Sequence, residues 1–182
     1  MPETPPVLQY SDRVPMRWSV LAEPPSVAEL ERMAATNIHL LNAISALEEH
    51  RELPAEENVL AQEVNHLHRK VDLLLGLVAR LVEAQLPPPP AVAVVFSSEG
   101  MSWAVGPQRP PVGSRILLEV YLSRGAAEPL RLPAIVEAGT ADSVQVRFDL
   151  PVEGFISAIE QHVFLRHRRS VAKSLQSARV SG

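Results

Sequence analysis

The stretch LAQEVNHLHRKVDLLLGLVARL, residues 60–81, decides how the chain is organised. Its apolar positions Leu60, Val64, Leu67, Val71, Leu74, Val78 and Leu81 alternate spacings of four and three residues. That is a heptad seam with Val at a and Leu at d. A helix lying on its own domain usually carries a broader and shorter apolar stripe. A helix over 55–86 runs roughly 48 Å at ~1.5 Å per residue, a long rod for a chain of this size. The pattern therefore predicts a coiled coil between copies of the chain. Val at a with Leu at d leans towards parallel dimers. Leu75 falls at e and Leu77 at g, positions that a two-stranded coil leaves in water. The widened stripe predicts a homotetramer ahead of a dimer.

Outward from the seam, prolines and aromatics mark where the chain changes character. Of 17 prolines, only Pro54 lies between Pro25 and Pro87, and no aromatic lies between Trp18 and Phe96. Residues 26–86 therefore read as helical, and Pro87 to Pro90 end that block because proline cannot continue a helix. Within 26–52, Leu30, Ala34, Leu41 and Ile44 line one face, with Met33, Ile38 and Leu47 beside it. Ser26 followed by Glu29 has capping-box spacing. This face does not run in phase with the later seam, so a kink or a turn is expected near Leu53-Pro54. Asn37 lies beside the apolar face, either fixing register or serving as a surface or capping residue.

The flanks read as short strands, at about 16–21, 91–96, 101–105, 115–122, 130–138 and 143–149. Gly106-Pro107, Pro110-Pro111, Gly125 and Gly139 supply turn residues between them. Six short strands with turn-length gaps predict a small antiparallel barrel. A helix over 153–174 follows, with Phe155, Ile159, Val163 and Phe164 as its expected buried face. The fold class is α+β.

The composition excludes several functions. The net charge of −4 over 182 residues argues against a general nucleic-acid binder. The absence of cysteine removes disulfides, zinc–thiolate sites and a cysteine nucleophile. His66 and His68 point to different sides of a helix, so no metal site is expected and the six histidines read as surface residues. There is no HExxH, P-loop or GxSxG motif, and no enzyme is expected. Met1 to Tyr10 has neither a basic n-region nor an apolar core, and the longest uncharged apolar run, Leu73 to Ala79, is too short to span a bilayer. A cytoplasmic protein is the expectation. After Glu160 the chain carries cations and no acid: Arg166, Arg168, Arg169, Lys173 and Arg179. These either complement a helix dipole in a solvated tail or form a patch for an anionic partner.

The strand order, the Ser97-Ser98-Glu99-Gly100 turn and the ending Val146-Arg147-Phe148 together resemble the PilZ family, a six-stranded barrel followed by a C-terminal helix. The resemblance covers 9–25 and 91–175, so it places residues 26–86 as helices inserted between the first and second strands. It implies a cyclic di-GMP site built from RxxxR and [D/N]xSxxG. Arg13 and Arg17 match the first motif literally, and Ser97 and Gly100 match the second. Val95 stands where an acid or amide is usual. In the alternative register Arg13 is the second arginine and Gln9 replaces the first, which removes a bidentate phosphate clamp. These departures predict that the usual ligand binding is lost and that no cofactor is held. The resemblance implies a regulator or scaffold in bacterial motility, pili or virulence that acts through an unknown protein partner. A reduced cyclic di-GMP site at Arg13, Arg17, Ser97 and Gly100, or a purely structural coiled-coil module, are the other readings.

Overall fold

The computed structural model describes residues 8–49, 59–85, 87–104, 108–122, 128–140 and 142–180. In chain order the elements are β1 (Gln9–Val20), α1 (Val27–Glu49), α2 (Val59–Gln85), β2 (Ala91–Ser97), β3 (Gly100–Ala104), β4 (Arg115–Val120), β5 (Leu130–Gly139), β6 (Ser143–Phe148) and α3 (Glu153–Val180). Among the described residues, six strands close into an antiparallel barrel in the order β1-β2-β3-β6-β5-β4. The expected barrel and C-terminal helix are both present.

β1 is longer than its sequence suggested. Its first half, Gln9 to Pro15, pairs with β2, and its second half, Met16 to Val20, pairs with β4. Tyr10, Val14 and Met16 point into the core, but Asp12 interrupts the apolar alternation. Asp12 lies within 4.0 Å of the Arg166 guanidinium on α3, which accounts for an acid on that face. Phe96, Ile116, Leu118, Leu132, Val136 and Val144 fill the barrel, as alternating strand residues do.

α1 begins with the expected capping box. Ser26 N–H and Oγ–H both donate to Glu29 Oε2, at 2.8 and 2.7 Å, and Glu29 N–H donates back to Ser26 Oγ at 3.4 Å. Those donors hold the exposed Glu29 carboxyl below its ordinary pKa. α1 lies against α3 and β5, burying Ala34, Leu41 and Ile44.

Asn37 is fully buried, and neither expectation for it holds. β6 pairs with β5 only from Ala134 onward, so the outward amide groups of Arg131 lack a strand partner. Asn37 supplies both partners: Nδ2 donates to Arg131 O at 2.8 Å, and Arg131 N–H donates to Oδ1 at 3.0 Å. Asn37→Ala leaves a main-chain donor and an acceptor unpaired, and we expect a loss of about 2 kcal/mol. Denaturant titration checks this, with an unchanged midpoint contradicting it.

α3 buries Phe155, Ile159, His162 and Val163, with Phe164 outside. Phe164 sits one residue, about 100° of helix, beyond Val163. The seat assigned to it belongs to His162, which corrects the reading of the histidines as surface residues. The predicted break near Leu53-Pro54 lies outside the described residues. α2 spans ~40 Å at 1.5 Å per residue. Among the described residues, it packs against no other element to the extent that α1 and α3 pack together. None of the described helices is long and apolar enough to cross a membrane.

Candidate functional site

The two motif residues that resemble a ligand turn have structural duties. Ser97 Oγ accepts from Gly100 N–H and donates to Gly100 O, both at 3.0 Å, which closes the β2–β3 turn. Gly100 pairs with Arg147 of β6. A Cβ on Gly100 would fall well inside contact distance of Val146 O and 3.2 Å from Arg147 Cα. Only glycine lets these two backbones come so close.

A shallow cavity of about 340 Å³ opens beside this turn, lined in part by Gln9, Ser97, Glu99, Gly100, Glu137 and Arg147. Arg147 Nε donates to Glu137 Oε1 at 2.7 Å, so its charge is already matched, and Glu99 adds a further acid. The cavity wall is thus acidic on balance, which disfavours a phosphodiester.

The sequence-matched arginines lie elsewhere. Gln9 is the residue opposite Ser97, whereas Arg13 is opposite Ala93, about 13 Å further along β1 at ~3.3 Å per residue. Arg13 Nη2 donates to Ala91 O at 3.2 Å. Arg17 is paired with Glu119 on β4, and that carboxylate raises the guanidinium above its ordinary pKa. Glu119 also meets Arg131 at 3.6 Å. Arg13, Arg17, Ser97 and Gly100 do not converge on one cavity. The register that puts Gln9 at the rim is the alternative reading of RxxxR.

The basic residues of α3 also separate. Arg166 turns inward, donating to Leu122 O at 3.3 Å beside Asp12. His167 Nδ1–H donates to Gln9 O at 2.7 Å. Arg168 is exposed and Arg169 is half-buried, while the side chain of Lys173 lies outside the described residues.

His162 has no sequence signal beyond lying one residue before Val163 in the apolar stripe. Its Nε2 shares a hydrogen bond with Tyr10 Oη at 3.2 Å, tying α3 to β1. Burial pushes its pKa down to about 4, and Arg166 and Arg169 oppose the charged form further. The unfolded chain therefore binds a proton that the folded chain refuses between about pH 6.5 and 4. The neutral imidazole contributes full stability above that window. On acidification through it we expect a loss of about 3 kcal/mol. Urea titrations at several pH values check this: the acid limb of a His162→Gln chain is expected to be shallower, and an equal slope contradicts the assignment.

Among the described residues, α2 carries a seam of exposed apolar side chains. Val64, Leu67, Val71, Leu74, Val78 and Leu81 are between 44% and 67% exposed. Leu73, Leu75 and Leu77 are exposed beside them, and the side chain of Leu60 lies outside the described residues. Scattered exposed leucines are ordinary, whereas a continuous stripe along one helix is not.

Known proteins place this architecture. A crystal structure of a pathogenic protein from Xanthomonas campestris, described as a new tetrameric PilZ domain self-assembled via an unusual helical bundle, is similar over 93% of each chain, with 29% identity and a TM-score of 0.69. No curated protein matches the sequence. The profile of the atypical PilZ domain, described as a cyclic di-GMP receptor, matches residues 41–176 and so takes in most of the chain. With its closed six-stranded barrel and C-terminal helix, this chain belongs to the atypical PilZ domain family.

Proposed function

We propose that this protein is a non-enzymatic regulatory scaffold that assembles as a parallel tetramer through α2 and acts through a protein partner. In this reading it no longer senses cyclic di-GMP. The observation that carries the proposal is the exposed apolar stripe of α2 on a helix that its own barrel leaves uncovered. The self-assembled helical bundle of the Xanthomonas campestris protein supports the same use of a helix here.

The flanking positions favour parallel helices. In a parallel bundle, each g residue meets the e residue five positions later on its neighbour. Those pairs are Glu63 with His68, Lys70 with Leu75, and Leu77 with Val82. Polarity therefore falls steadily toward the barrel end of α2. Antiparallel helices would lay the apolar end of one beside the polar end of the next. Apolar residues at e and g also favour four strands over two.

The loss of nucleotide sensing rests on the acidic cavity wall and on Arg17 being held by Glu119. Each missing polar contact to a ligand costs about 1–3 kcal/mol. Two such losses amount to roughly thirtyfold to twenty-thousandfold in affinity. Such a barrel is better suited to displaying side chains to another protein, in processes such as motility, pili or virulence.

Calorimetric titration with cyclic di-GMP at low and physiological salt tests the input. We expect no heat at either salt. Micromolar binding abolished by Arg13→Ala with Arg17→Ala would establish a working reduced receptor and overturn this reading.

A further inference from the structure

The outward flank of α3 carries a second exposed apolar surface. Ile156 is 42% exposed, Phe164 52% and Val171 44%. A half-exposed phenylalanine on a polar helix is conspicuous because aromatics carry large apolar area. Ile156, Glu160, Phe164 and Arg168 follow one another at four-residue steps, so they form a single ridge along the helix. Glu160 and Arg168 are both exposed, and neither has an opposite charge three or four residues away on its own helix.

The ridge is symmetric about Phe164. Glu160 lies four residues before it and Arg168 four after. Ile156 lies eight before, and the turn of Val171 and Ala172 seven to eight after. A two-fold axis through Phe164 therefore brings unlike charges together and apolar groups together. That self-complementarity is what an isologous contact requires.

We propose that this flank of α3 is a self-recognition surface. Two copies of the chain cross antiparallel at Phe164, with Glu160 of each meeting Arg168 of the other and Ile156 packing on the Val171–Ala172 turn. The ridge presents far less than the ~800 Å² per partner of a standard stable interface. The contact is therefore weak between free chains, where high protein concentration and oxidative trapping read it out, and is stronger where copies are already held close. It stands independently of the α2 seam, because it rests on different residues.

The chain has no cysteine, which allows a clean cross-linking test. A Glu160→Cys chain and an Arg168→Cys chain, distinguishable by tag, are mixed under mild oxidation. Both carry Leu67→Asp and Leu74→Asp so that copies exchange freely whatever α2 does. The mixed disulfide is expected to exceed either like-with-like disulfide by about tenfold, reflecting local concentration at the crossing. Adding Phe164→Glu to both chains is expected to return the products to their statistical shares. Statistical shares before that substitution overturn the proposal, as does a preference that survives it. Far-ultraviolet circular dichroism and the thermal midpoint check folding of each variant, and because Phe164 lies outside the core the Phe164→Glu midpoint should stay near that of its parent. Separately, a Glu160→Arg chain with all other residues native is expected to sediment with less self-association at high concentration. Combining it with Arg168→Glu is expected to restore the association; failure of that rescue removes the charge pairing and with it the proposed crossing.

Discussion

Replacing Leu67 and Leu74 together by Asp is expected to reduce the proposed α2 assembly to single chains while leaving the barrel folded. Both residues occupy d positions, and both are about three-fifths exposed in the single chain, at 60% and 62%. Their loss therefore leaves the barrel core untouched. In a four-stranded bundle each substitution would set four carboxylates into one buried layer. Burying a charge without a partner costs several kcal/mol per ion, far more than neighbouring leucines return at about 1.5–3 kcal/mol each. Most helical stability in proteins comes from packing of an amphipathic face, so helicity should fall with the mass. Light scattering reads the mass and circular dichroism reads the helix. A mass unchanged from the native chain would remove the seam as the assembly device.

Gly100→Ala is expected to destabilise the barrel by about 3 kcal/mol, at the upper end of ordinary overpacking. The added carbon falls on Val146 O, a main-chain atom in the β3–β6 ladder, which has no rotamer to adopt and must move with its strand. Ser97→Ala removes only the turn's side-chain bonds and is expected to cost about 1 kcal/mol. Denaturant midpoints measure both. A Gly100→Ala chain as stable as the native one would contradict the close approach. The difference bears on interpretation: Ser97 and Gly100 are required by the turn whether or not a nucleotide is present. Motif survival at these two positions therefore carries no information about ligand binding, whereas Gln9, Val95 and Arg17 do.

The elements legible in the sequence were those whose signal is local. Five of the six strands and α3 announce themselves through alternation, helical period and turn residues. α2 does so through its helical period and the absence of proline between Pro54 and Pro87. The beginning of β1 was hidden by Asp12, whose partner Arg166 lies more than a hundred and fifty residues away. Asn37 and His162 were misread for a related reason. Their burial depends on what faces them, an unfinished edge of β5 in one case and Tyr10 of β1 in the other. Phe164 was assigned inward because it adjoins Val163, and one residue of phase was enough to misplace it. The candidate site was legible as a set of residues but not as a place. The register that puts Gln9 opposite Ser97, and Arg13 four residues away, is a property of strand pairing.

The closed barrel sets a condition on whatever this protein recognises. A sheet that ends in a free strand offers a row of main-chain donors and acceptors to which an extended peptide can add itself, with little regard for sequence. Here β4 returns to β1, and the stretch of β5 that β6 leaves short is stoppered by Asn37. Among the described residues, β4 and this stretch of β5 thus offer no edge for an added strand, and the protein partner proposed above would be read by side chains projecting from the outer wall and the helices. Specificity of that kind is rewritten by single outward substitutions that leave the core alone. The outer surface of such a barrel can change by substitution alone, with its architecture intact.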